Sequence, residues 1–173
     1  MMISILFALL QSTTAAATPA APPPPWTAMS RTDAASGISS TSAFAFTSDH
    51  SARLVVRCDR VAEPVVSIQM RTKAGFAAGD DHIVSVSVDG GTPIDSTWEF
   101  PGTATMNREP STITQLTVAM NSAKSITVTT TDGTASVSQI FPGPGASAGI
   151  KDVLSACGYE FGVVPQPAKP AAK

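Results

Sequence analysis

Ala52-Arg53-Leu54-Val55-Val56-Arg57-Cys58-Asp59 is the stretch on which the fold turns. In an extended chain successive side chains point to opposite faces, so Leu54, Val56 and Cys58 share one side and Arg53, Val55 and Arg57 the other. That alternation predicts a β-strand. Cys58 is one of only two cysteines. The other, Cys157, closes a set with Ile150, Val153 and Leu154 at the i, i+3, i+4, i+7 spacing of a helix face. Lys151, Asp152 and Ser155 form the polar side of that helix, and Gly158 is placed as its stop. A bond between the two cysteines would strap the strand to the last structured element.

Outward from this strand the chain reads mostly as further strands. Ser42 to Thr47 alternates, with Phe44 and Phe46 on one face. From Pro64 to Thr72, Val66, Ile68 and Met70 oppose Ser67, Gln69 and Arg71. Val84, Val86 and Val88 alternate with Ser85 and Ser87, and Asp89-Gly90-Gly91 then makes a turn. Ile94, Trp98 and Phe100 share parity and suggest another strand. Ser111 to Ala123 mixes a helical spacing (Ile113, Leu116, Met120) with strand-favouring Thr112, Thr114 and Val118, and is read as a short helix. Ser125–Thr131 and Ala135–Phe141 form a hairpin around Asp132-Gly133. The expected fold is mainly β: an antiparallel β-sandwich or open barrel closed by one short C-terminal helix.

Composition narrows compartment and partner. Of 173 residues 43% are hydrophobic and 14% charged, against about 25% charged in an ordinary soluble domain. Ser and Thr supply the polar surface, which suits a β-protein outside the cytoplasm. A net charge of −2 gives no overall electrostatic case for nucleic acid or an anionic membrane. The apolar run from Ile3 to Leu10 is too short to cross a bilayer, which takes about 20 residues. With Ala15-Ala16-Ala17 behind it, residues 1–17 read as a secretory signal peptide, although no Lys or Arg precedes the run; a buried N-terminal element is the alternative. Residues 18–25 are a Pro-rich linker, 26–163 a single β-rich domain, and 164–173 a Pro/Ala/Lys tail. Export to the periplasm or beyond makes a Cys58–Cys157 disulfide the favoured state, two buried thiols being the alternative. The two cysteines and two histidines have no metal-site spacing.

A Trp ahead of the strands (Trp26), Leu54-x-Val56-Arg57-Cys58, Val86-x-Val88-Asp89, Trp98, Ala135-x-Val137, a Gly, a short helix and Cys157 follow in order. This succession resembles the exported VasI/TagO-type proteins associated with type VI secretion and the invasion-associated exported proteins of alphaproteobacteria. It spans most of residues 26–159. The resemblance implies a bacterial envelope factor, accessory to secretion or invasion.

Candidate chemistry is sparse. Gly145-Ala146-Ser147-Ala148-Gly149 matches the G-x-S-x-G nucleophile elbow between a strand and a helix, but no His follows Ser147 and Pro142 and Pro144 interrupt the turn. The neighbouring Gly143-x-Gly145 has the wrong spacing for a dinucleotide loop. Asp80-Asp81-His82 groups possible metal ligands, yet adjacent residues of an extended segment diverge, and a solvated loop entering the Ile83 strand is the expectation. Asp49-His50 reads as a polar turn. Trp26 and Trp98 read as packing residues; an exposed Trp98 would be a recognition residue. The expectation is a binding or structural domain without enzymatic activity, cofactor or metal. Its partner would be a protein or envelope component, and a sheet edge is available for strand addition. A small secreted hydrolase using Ser147 is the alternative.

Overall fold

The computed structural model describes residues 25–165 apart from Gly133 and Ala146. The signal-peptide segment, nearly all of the Pro-rich linker, the tail from residue 166 onward and the turn residue Gly133 lie outside the described residues. In chain order the elements are β1 (Thr27–Thr32), β2 (Ser39–Phe46), β3 (Ala52–Arg60), β4 (Val65–Thr72), β5 (Gly79–Val88), β6 (Ile94–Phe100), β7 (Thr105–Asn107), α1 (Pro110–Asn121), β8 (Ser125–Asp132), β9 (Ala135–Pro142) and α2 (Gly149–Ala156). The strands form one antiparallel sheet in the order β1-β2-β3-β4-β7-β6-β5-β8-β9. The fold is thus mainly β, an open sheet with two helices, the second of them short and C-terminal.

β3 has the alternation its sequence predicts. Leu54 lies opposite Ala45 and Met70, Val56 opposite Ala43 and Ile68, and Cys58 opposite Thr41 and Val66. All of these except Thr41 are buried. An open sheet of this width can bury such a face only by curling or by being covered, and both occur. β9 comes against β2 and β3, α1 lies on β4 and β5, and α2 lies on β2 and β3. Trp26 Nε1 donates to the Pro142 carbonyl at 2.8 Å, and Ser51 Oγ reaches Gln139 Oε1 at 3.5 Å, so the two ends of the sheet are tied across the core. A single hydrophobic cluster fills the interior, with Trp26, Leu54, Met70, Trp98, Leu116 and Phe141 among its largest members.

The ambiguous segment 111–123 is helical because its polar groups are satisfied locally. Glu109 caps α1, its carboxylate accepting from Ser111 N at 3.1 Å and Thr112 N at 2.6 Å, and Pro110 follows at the first helical position. Thr114 and Thr117 donate back to the Pro110 and Ile113 carbonyls at 2.9 and 2.7 Å. Ile113, Leu116, Thr117 and Met120 are its buried face. At the other end, α2 stops in a Schellman arrangement: Gly158 at φ 74° lets Tyr159 N donate to Leu154 O at 2.9 Å and Gly158 N to Ser155 O, also at 2.9 Å. Cys157, the C-cap, thereby faces β3 and is bonded to Cys58 with the Cα atoms 5.7 Å apart. Arg60 Nε donates to the Ala156 carbonyl at 3.1 Å, placing a cation at the negative end of α2.

Three features depart from the sequence reading. β1 is a strand although its residues, Thr-Ala-Met-Ser-Arg-Thr, are all exposed; it forms by pairing along β2, not by burying a face. β7 is only three residues long and bridges β4 to β6. Asp80, Asp81 and His82 belong to β5 instead of a loop, with the register shifting between Gly79 and His82.

Candidate functional site

The residues singled out for chemistry occupy separate places. Ser147 lies in the connection before α2, where its Oγ accepts from Gly149 N at 3.2 Å. His50 takes a left-handed φ of 55° in the β2–β3 turn, its ring 5.4 Å from that of Phe46. His82 faces Trp98 across the β5–β6 ladder and packs edge-on against Phe100 at 4.8 Å. Asp80 and Asp81 are exposed. Among the described residues no three of His, Cys, Asp and Glu gather to hold a metal. Asp49 is used structurally: Thr47 Oγ1, Ser51 N and Ser51 Oγ donate to it at 2.6, 3.0 and 2.8 Å, and these bonds hold its carboxyl well below the usual carboxylate range. Trp98 is fully buried, its Nε1 donating to Ser96 Oγ at 2.8 Å, so it is no surface recognition residue.

The distinctive surface is the outer face of β1–β4, opposite the core. In β3 the outward residues are Arg53, Val55, Arg57 and Asp59. The ladder sets Arg53 directly opposite Phe46 in β2 and Arg71 in β4, and Val55 opposite Phe44 and Gln69. Ser42 of β2 lies beside Arg57 and Met29 of β1, and Ser40 beside Asp59 and Arg31. Four of the six arginines in the chain (31, 53, 57, 60, 71 and 108) therefore line one cavity of about 210 Å³, and no carboxylate lines it. A second cavity of about 400 Å³ shares Arg31, Ser40 and Arg57 with it and extends toward the β1–β2 turn, where Asp33 and Asp59 balance the charge.

The arginines are held in different ways. Arg57 is locked to Asp59, with Nε 2.8 and 3.0 Å from the two carboxylate oxygens and a terminal nitrogen at 2.7 Å. The Arg53 guanidinium lies over the rings of Phe44 and Phe46, 5.5 and 5.9 Å from their centroids. Arg71 donates to Gln69 Oε1 at 3.3 Å, and Gln69 Nε2 in turn donates to Ser67 Oγ at 2.9 Å. The Nε of Arg71 is buried with no hydrogen-bond partner among the described residues. Val55, Ser67 and Gln69 are buried although they face outward, beneath the arginine stems. Burial, then the charges of Arg71 and Arg57, shifts the Arg53 pKa downward. Like charges directly opposite one another across a ladder destabilise a sheet, so this face is arranged against its own stability.

The sequence carried part of this signal. Arg53 and Arg57 share parity in one predicted strand, and Gln69 and Arg71 in the next. The register that sets Arg53 against Arg71, and the unexpected β1 that brings Arg31, do not follow from strand periodicity alone. A whole-chain charge of −2 hides the local excess. Compared with protein-family models, with curated proteins and with solved structures, the chain matches none.

Proposed function

We propose that this chain is an exported bacterial envelope protein whose domain is a non-enzymatic binding module, using the outer face of β1–β4. The observation that carries the reading is the Arg53–Arg71 juxtaposition on a rigid, disulfide-anchored strand. Uncompensated like charges over a buried polar floor are retained where a ligand supplies the counter-charge. The disulfide and the signal-like N-terminus support a periplasmic or secreted location. No helix among the described residues is long and apolar enough to cross a membrane. Resemblance to VasI/TagO-type and invasion-associated proteins agrees with an envelope role. A second surface has its own support: among the described residues β1 pairs on one side only and every residue in it is exposed, which suits addition of a partner's strand.

Three measurements test the reading. N-terminal sequencing of the exported product should find a start between Thr18 and Trp26 or just before; a product retaining Met1 to Leu10 in the cytoplasm refutes export. Co-sedimentation of the purified chain with a bacterial envelope fraction should be lost in Arg53→Gln/Arg71→Gln. It should be unchanged in Ser147→Ala, His50→Ala and His82→Ala. Loss of a cellular phenotype in a folded Ser147→Ala protein would instead establish the hydrolase reading.

A further inference from the structure

Resting on the arginine face as a binding surface, we infer that the cavity between Arg53 and Arg71 takes the phosphate monoester of a small soluble organic ligand of about sugar size. The charge requires an anion: four guanidinium groups line the cavity and, among the described residues, the only carboxylate bound to any of them, Asp59, lies outside its lining on Arg57. A single carboxylate presents one two-oxygen edge and satisfies one guanidinium fork. A phosphate monoester carries up to two negative charges and three terminal oxygens, so it can bridge two forks at once. The ladder sets two arginines, Arg53 and Arg71, directly opposite each other, and both line the cavity. One of them, Arg71, has a buried Nε–H with no acceptor among the described residues. An unmet donor inside a basic cavity costs stability until an acceptor arrives.

Orientation and size complete the specification. Cation–π contact with the Phe44 and Phe46 rings holds the Arg53 guanidinium, and the Gln69–Ser67 chain steers Arg71. Pre-positioned guanidinium groups lose little freedom on binding. A cavity of about 210 Å³, where one water needs only about 10–15 Å³ of such space, is larger than a bare phosphate requires. The apolar side chains of Met29, Phe44 and Val55 line the rest, where an organic group can lie. The Arg71 Nε and the Gln69 side chain are buried, so a phosphate that reaches them passes between side chains. A free ester has that freedom, whereas a headgroup held in a bilayer plane is confined to the exposed arginine surface.

The test is calorimetric titration of the full-length oxidised chain at low salt with glucose 1-phosphate, with glucose and inorganic phosphate for comparison. Vesicles of phosphatidylcholine with and without phosphatidate form a separate arm. The expected result is saturable binding of glucose 1-phosphate, weaker binding of inorganic phosphate, and none of glucose. Arg71→Gln and Arg53→Gln should each lose about tenfold or more in affinity, while Lys73→Gln, a change to an exposed cation outside the cavity, keeps it. A purely structural arginine would lower the melting temperature when removed. Here the unliganded Arg71→Gln protein should melt no lower than wild type, because one of two opposed like charges is gone. Absence of saturable glucose 1-phosphate binding, equal affinity in Arg71→Gln, or binding confined to phosphatidate vesicles would each overturn the inference. If envelope binding were still lost in Arg53→Gln/Arg71→Gln, the broader reading would stand without it.

Discussion

Asp89 and Gly143 show how single residues fix this architecture. Both act on the junction between α1 and β8. The Asp89 carboxylate accepts from Lys124 N at 2.9 Å and Ser125 N at 2.8 Å, while its own N–H donates to Ser125 O at 2.9 Å. To present that carboxylate the residue adopts φ 52°, and Gly90 follows at φ 72°; Asp tolerates this left-handed turn better than most side chains. From the opposite side Gly143 N donates to Lys124 O at 2.8 Å, and a Cβ built on Gly143 would overlap the backbone of Ala123 and Lys124. Backbone on both sides leaves nothing to yield. Gly143→Ala should therefore destabilise the domain by about 3 kcal/mol or more, and Asp89→Ala by about 1–2 kcal/mol through the two orphaned N–H groups. Urea unfolding of both variants checks this. Equal midpoints for Gly143→Ala and wild type would show that the close approach is absent in solution.

At the scale of elements, α1 is held by its cap more than by propensity. Three donors from Ser111 and Thr112, first among them the Ser111 hydroxyl, hold the Glu109 carboxyl down at about 2, against an ordinary 4.5. The folded pKa is depressed, so the cap stabilises above the ordinary value, and its contribution fades as pH falls from about 4.5 toward about 2. Glu109 is exposed, so the effect follows ordinary capping magnitudes: Glu109→Gln should lose about 1 kcal/mol at neutral pH. That difference from wild type should vanish near pH 2. Asp33 and Asp49 have carboxyls lowered the same way, so only the difference between the two proteins isolates the cap. The same helix shows what a sequence can and cannot reveal. Ile113, Leu116 and Met120 announce a helical face, and β5 and β8 announce their alternation, because burial imposes a period. β1 and β7 carry no such period, since ladder pairing to neighbours specifies them. The arginine site depended on both, on β1 for Arg31 and on register for Arg53 and Arg71, which is why its residues were visible singly and not as a group.

For the whole molecule the decisive bond joins the centre of the sheet to the end of the chain. Cys58 sits on the inner face of β3, and Cys157 at the cap of α2, 99 residues later. Between them lie β4–β9, α1 and α2, the elements that curl the sheet back toward β2 and β3 and cover it. The cross-link restrains the unfolded chain over most of the domain, on the order of 4–5 kcal/mol in the chain-entropy account. A domain of this size is ordinarily stable by only about 5–15 kcal/mol, so the bond decides whether the fold persists. Reduction should lower the urea midpoint sharply and steepen the transition, because a chain freed of the link exposes more surface on unfolding. Cys58→Ala and Cys157→Ala should behave alike, and the double variant should be no worse than either, since each single change already removes the whole constraint. Arg60 adds a control, as its hydrogen bond to the Ala156 carbonyl holds α2 in place without the sulfurs. Arg60→Ala should cost only about 1 kcal/mol, far less than reduction. Coincident oxidised and reduced midpoints, or quantitative alkylation of both thiols in the unreduced, denatured protein, would show that the two cysteines are not bonded in the native protein.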